Sequence, residues 1–143
     1  MKLTTIFTLL IVLLVIVACG ETYGPMGDED APVLESTTPF TYDKKNNEYV
    51  VNIDSDGGEY VFSAPKNDVD LGVIHRNGAE YHHDDRYSFQ NEYITAKVEY
   101  NTAAIDITIN IVPNNTGEKV TYIFFICGLD SFTKIVFNQS KAE

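Results

Sequence analysis

The stretch Ile105-Asp106-Ile107-Thr108-Ile109-Asn110-Ile111 alternates isoleucine with a polar residue over seven positions. Successive side chains of a β-strand point to opposite faces. The four isoleucines therefore share one side, and Asp106, Thr108 and Asn110 share the other. The segment predicts a strand with one face in a core and one towards water.

Reading outward, Pro113-Asn114-Asn115-Thr116-Gly117 is a turn cluster. The next run, Val120 to Cys127, is apolar on both faces, which predicts a central strand covered on both sides. Gly128-Leu129-Asp130-Ser131 turns the chain, and Phe132 to Asn138 closes it. Upstream, Tyr93 to Tyr100 alternates, and a weaker strand near Leu71 to Arg76 precedes the hairpin signal Asn77-Gly78. Tyr49, Val51 and Ile53 mark another strand. Asp54-Ser55-Asp56-Gly57-Gly58 interrupts it, and Glu59 to Ser63 resumes. Seven or eight short strands with turns every ten or so residues predict an all-β, immunoglobulin-like antiparallel β-sandwich over 41–143.

The N-terminus has a different character. Lys2 precedes an apolar run from Ile6 to Val17. That run is short for a membrane span, which needs about 20 apolar residues, and it fits a secretory signal. It ends in Ile16-Val17-Ala18-Cys19, which resembles the bacterial lipobox. The resemblance implies cleavage of residues 1–18 and lipidation of Cys19, the membrane partner of the mature chain. Several acyl chains hold firmly, since each buried methylene contributes roughly 0.8 kcal/mol. Residues 19–40 then read as the lipidated Cys and a flexible acidic tether, with Pro25, Pro32, Pro39 and the cluster Asp28-Glu29-Asp30.

Without Lys2 the mature chain sets nine basic residues against 21 acidic ones, a net charge of −12. Such a surface argues against nucleic acid and against electrostatic adhesion to anionic lipid. With Cys19 acylated, Cys127 has no disulfide partner and reads as a small apolar residue of its strand.

Three pieces carry a family resemblance. Gly57-Gly58-Glu59-Tyr60-Val61-Phe62 is similar to the start of immunoglobulin-like domains in Bacteroidetes lipoproteins. Ile107 to Gly117 resembles their strand and Pro-Asn-x-Thr turn, and Lys134 to Gln139 resembles their closing strand. In order, these resemble the BACON-type family over Asp56 to Gln139. The chain has no Trp, where those domains commonly carry one, and Lys119 stands where an Arg often follows the turn. The resemblance implies carbohydrate or mucin contact or a spacer role, no catalysis and no cofactor. It also implies a bacterial cell envelope location, at the outer membrane, with exposure on its outer surface as the further expectation.

The candidate chemistry is sparse. All three histidines, His75, His82 and His83, lie near Asp84-Asp85-Arg86. Adjacent strand residues point apart, so His82 with Asp84 is the pair able to share a metal, against the simpler reading of a solvated loop. Asn52 to Gly57 imitates half a calcium loop, but its twelfth position is Ser63 rather than a bidentate Glu. No nucleophile elbow or metalloprotease motif occurs, so no enzyme is expected.

Nine tyrosines and eight phenylalanines are the feature that fits binding, because Tyr offers a flat apolar face and a polar tip. Tyr81, Tyr87 and Tyr93, with Tyr100 beyond them, cross the charged middle of the chain. They are the candidate ligand residues, set against ordinary packing of aromatics in strands. Two functions follow: a surface-anchored glycan or mucin module marked by grouped exposed tyrosines, or a structural, adhesion or spacer subunit docking on another envelope protein. The second would leave an apolar strip open, above all along Val120 to Cys127.

Overall fold

A computed structural model describes residues 31–64 and 68–143. The expected signal peptide, Cys19 and the first part of the tether lie outside the described residues. Among the described residues no helix occurs, and ten strands form two sheets. They are β1 (Thr41–Asp43), β2 (Glu48–Ile53), β3 (Gly58–Ala64), β4 (Asp70–Arg76) and β5 (Ala79–Tyr81), followed by β6 (Ser88–Gln90), β7 (Ile94–Tyr100), β8 (Ile105–Ile111), β9 (Val120–Cys127) and β10 (Phe132–Gln139). One sheet runs β1-β2-β10-β9-β4-β5, the other β3-β8-β7-β6. The fold is the all-β sandwich that the alternation predicts.

The extra strands β1, β5 and β6 have three residues each, too few to leave a periodic trace in the sequence. Every pairing is antiparallel except one: β10 lies parallel to β2, with Phe137 opposite Val51. Alternation tells which face a residue takes, not which strand it neighbours.

The core lies between the sheets. Ile105, Ile107, Ile109 and Ile111 are buried, as are Val120, Tyr122, Phe124 and Ile126 from the facing sheet. On the outer face of β9, Thr121, Ile123, Phe125 and Cys127 are half-buried. The strand expected to be covered on both sides is fully covered on one.

Turns and an entry segment lock the ends. At Gly57 φ is +69°, and a Cβ there would lie 2.1 Å from the Ile111 carbonyl oxygen. Only glycine suits that close, left-handed turn. Asn114, 4% exposed, donates through Nδ2 to the carbonyls of Glu118 (2.6 Å) and Ser140 (2.9 Å), and its Oδ1 accepts from Thr116. The Pro-Asn-x-Thr turn thus fastens the C-terminal segment.

Residues 31–40, read from composition as flexible, pack on the sandwich instead. Leu34 is 3% exposed and belongs to the core, and its N–H donates to the Tyr49 hydroxyl. Glu35 pairs antiparallel with Ser63 at the β3 edge. Phe40 sits edge-on to Tyr49 at 5.2 Å. A few apolar residues in the right places, Ala31, Pro32 and Leu34 among them, dock a segment whose composition is polar.

Candidate ligand cleft

At one end of the sandwich a cleft of about 390 Å³ opens beside Asp70, Arg86, Tyr87, Tyr100 and Cys127. Its two tyrosines arrive by different routes. Tyr100 is the last residue of β7 and has the inward parity of Ile94, Ala96 and Val98. It falls beyond the core, so its ring emerges at the mouth, 51% exposed. Its hydroxyl donates to the Val69 carbonyl at 2.9 Å. Burial, then the nearby Tyr87 phenol, push its pKa upward. Tyr87, 43% exposed, meets Tyr100 edge-to-face with centroids 5.6 Å apart.

The loop before β6 holds Tyr87 in place. Asp85 caps it, accepting from the Tyr87 N–H (2.9 Å) and the Ser88 hydroxyl (2.5 Å). The Ser88 hydrogen bond, followed by the Tyr87 N–H, holds the Asp85 carboxyl below the usual carboxylate value. The two ring nitrogens of His83 face the carbonyls of Asp85 (2.6 Å) and Gly72 (2.7 Å). This ties the loop to the β4 bulge between Leu71 and Ile74. Gly72 is needed there, because a Cβ would lie 2.8 Å from Cys127 Sγ. Arg86 Nε donates to Asp70 Oδ2 at 2.8 Å, and Nη2 pairs with the same oxygen. Burial raises the pKa of Cys127, which leaves it a neutral wall rather than a nucleophile.

The cleft offers an aromatic corner with a fixed charged pair beside it.

Of the three tyrosines expected to bind, the structure brings Tyr87 to the cleft. Tyr81 and Tyr93 are half-buried against the core, Tyr81 beside Phe89 at 6.2 Å and Tyr93 beneath Arg76. Tyr100 was legible as an aromatic but not as a partner of Tyr87, since their proximity depends on the β6–β7 pairing. His82 lies at the surface with Nε2 3.5 Å from Glu80, which also sits 3.6 Å from His75. Among the described residues, no group of three His, Cys, Asp or Glu side chains is placed to hold a metal ion.

A solved structure shares this architecture. It is the NMR structure of a protein from Bacteroides thetaiotaomicron, with a TM-score of 0.63 and 18% identity, and the match covers 86% of this chain and 98% of that one. The likeness shows the fold. No protein-family model matches the chain, and no curated protein matches it.

Proposed function

We propose that this chain is a non-catalytic, lipid-anchored binding module of the bacterial cell envelope, which holds a saccharide against Tyr87 and Tyr100. The observation that carries the reading is the exposed edge-to-face tyrosine pair in an open cleft. Large aromatic rings normally go inside a small sandwich. Two left half in water at one mouth, with the Arg86–Asp70 pair beside them, suit the apolar face and hydroxyls of a sugar ring. The anchor on Cys19 belongs to the same proposal and rests on the lipobox-like end of the apolar run. So does outer-membrane placement. Kinship with BACON-type domains is part of it too, supported by the order of the three motifs within a sandwich.

The test uses residues 19–143, which keep Leu34 and the docked entry segment. Protein is titrated with host and plant polysaccharides and mucin, and Tyr87→Ala and Tyr100→Ala are run beside it. Saturable binding weakened at least tenfold by either change is the expected result. Binding that both variants retain, or no binding across the panel, overturns it. Acyl labelling of the full chain in bacteria, lost in Cys19→Ser, tests the anchor separately.

One observation favours the second reading, a docking subunit. Phe125 and Phe132 touch on the outer face of the larger sheet with centroids 5.3 Å apart, and Phe132 is 37% exposed. A partner protein covering that strip would be disrupted by Phe132→Lys, which leaves the saccharide cleft untouched.

A further inference from the structure

The chain has two arginines, Arg76 and Arg86. Arg86 is neutralised by Asp70. Arg76 has no carboxylate partner among the described residues, although acidic residues outnumber basic ones two to one. It stands at the far end of β4 from Asp70, six residues or roughly 20 Å along the strand.

Tyrosines surround it. Its guanidinium carbon lies 3.8 Å from the Tyr93 ring centroid and 5.9 Å from that of Tyr122. Tyr81, paired with Ile74 on the neighbouring strand, is the third phenol in its field. Burial works against its charge, but the hydrogen bond to Tyr122 and the phenols of Tyr122, Tyr93 and Tyr81 raise its pKa. Its Nε–H is buried without an acceptor. Glu92, beside Tyr93 in the chain, is engaged with the Tyr93 hydroxyl and raises that phenol's pKa.

A guanidinium carries five N–H donors in a planar fork and no acceptor. Stacking on Tyr93 occupies a face and leaves the donors at the edge. That fork matches a carboxylate or a sulfate, which it binds bidentately. The buried Nε–H lacks an acceptor among the described residues, but Arg76 is only part-buried, so an anion would engage the guanidinium through its outer Nη donors. The acidic surface does not forbid an anion here, because charges beyond about 8 Å are screened at physiological ionic strength.

We propose that Arg76, framed by Tyr81 and Tyr93, is an anion subsite that takes the carboxylate or sulfate of an acidic saccharide. That the anion rides on a saccharide rests on the reading above; the anion subsite itself does not. The two sites lie toward opposite ends of β4, with Asp70 at the cleft and Arg76 at the other end of the strand, so one ligand fills both when its saccharide chain is long enough to run the length of that strand.

The test exploits the pair of arginines. Their Nε–H groups give two signals in a nitrogen-15 spectrum of residues 19–143, and Arg76→Lys assigns them. The protein is titrated with sodium sulfate, a sulfated oligosaccharide, a uronic-acid oligosaccharide and an uncharged oligosaccharide of equal length. The Arg76 signal should shift saturably with acidic ligands and stay put with the uncharged one; whether the sulfated or the uronic series moves it identifies the source of the anion. Arg76→Lys, which keeps the charge but loses the fork, should weaken acidic binding at least tenfold with a melting temperature within about 4 °C of wild type. An unmoved Arg76 signal, or unchanged affinity in Arg76→Lys, overturns the subsite. Inorganic sulfate separates the two proposals: if it moves Arg76 while Tyr87→Ala leaves saccharide binding intact, the cleft reading fails and the anion subsite stands.

Discussion

Two pairs of tyrosines, 81 with 93 and 87 with 100, come from the same charged stretch and have different fates. Tyr81 and Tyr93 lie where the two sheets still face each other, so their rings close the side of the core over Phe89 and under Arg76. Tyr87 and Tyr100 lie past the last core layer, where they meet each other and Tyr100 reaches the Val69 carbonyl. Residue type is the same; the distance from the end of the core decides between packing and presentation. A ring within the layer contributes to stability, and a ring beyond it is available to a ligand.

The sharpest way to break this comparison is at its buried extreme. Tyr122, fully buried beneath Arg76, should cost about 3–5 kcal/mol when cut to alanine, the range for large buried aromatics. Urea unfolding measures it. A loss under about 1 kcal/mol would mean that this end of the sandwich is loose and that Tyr93 is free to present itself as Tyr87 does.

Tyr93→Ala should fall between the extremes. It removes a half-buried ring and a cation–π contact worth about 0.5–2 kcal/mol, so a total near 2 kcal/mol is expected, with affinity for an uncharged saccharide at the cleft unchanged. Tyr87→Ala and Tyr100→Ala should each cost under about 1 kcal/mol, as exposed substitutions do, while binding collapses. If the stability ranking of the two pairs reverses, the division between packing and presenting tyrosines fails.

The sequence reveals much of the fold but not this division, since Tyr81 and Tyr93 read there as ligand residues beside Tyr87. The isoleucines of 105–111 identify a core face, and Ile107 and Ile109 are fully buried in it. The apolar run of β9 announces a central strand, and it lies between β10 and β4. Three things were beyond reach, each because the answer sits in another segment. The parallel partnership of β10 with β2 joins residues about 86 positions apart. Docking of 31–40 depends on a slot for Leu34 that the Tyr49 hydroxyl and the β3 edge create. The cleft depends on the β6–β7 pairing, which brings Tyr87 against Tyr100. Nor does the sequence tell which histidine the loop uses for structure: His83, not His82, is drawn inward to the carbonyls of Gly72 and Asp85.

The smallest expected effect sharpens the comparison most, because it touches only the presenting side. Asp85 fixes the backbone of Tyr87 and the hydroxyl of Ser88, and those bonds lower its pKa. A carboxylate whose folded value lies below its unfolded value stabilises the fold above the unfolded value and ceases to as pH falls through the folded one. Acidification from about pH 6 to about pH 2 should therefore loosen the loop that carries Tyr87 before it disturbs the layer that carries Tyr93. Amide hydrogen exchange at Tyr87 and Ser88, set against Ile94 and Ala96, resolves the two. Asp85→Asn should remove the acid step at Tyr87, since its amide oxygen still accepts but does not titrate. Asp43, lowered by its bonds to Asn46 and Lys45 at the far hairpin, would keep its own step and serves as the internal control. Exchange that rises together at Tyr87 and Ile94, in wild type and Asp85→Asn alike, would mean the two tyrosine regions open as one unit.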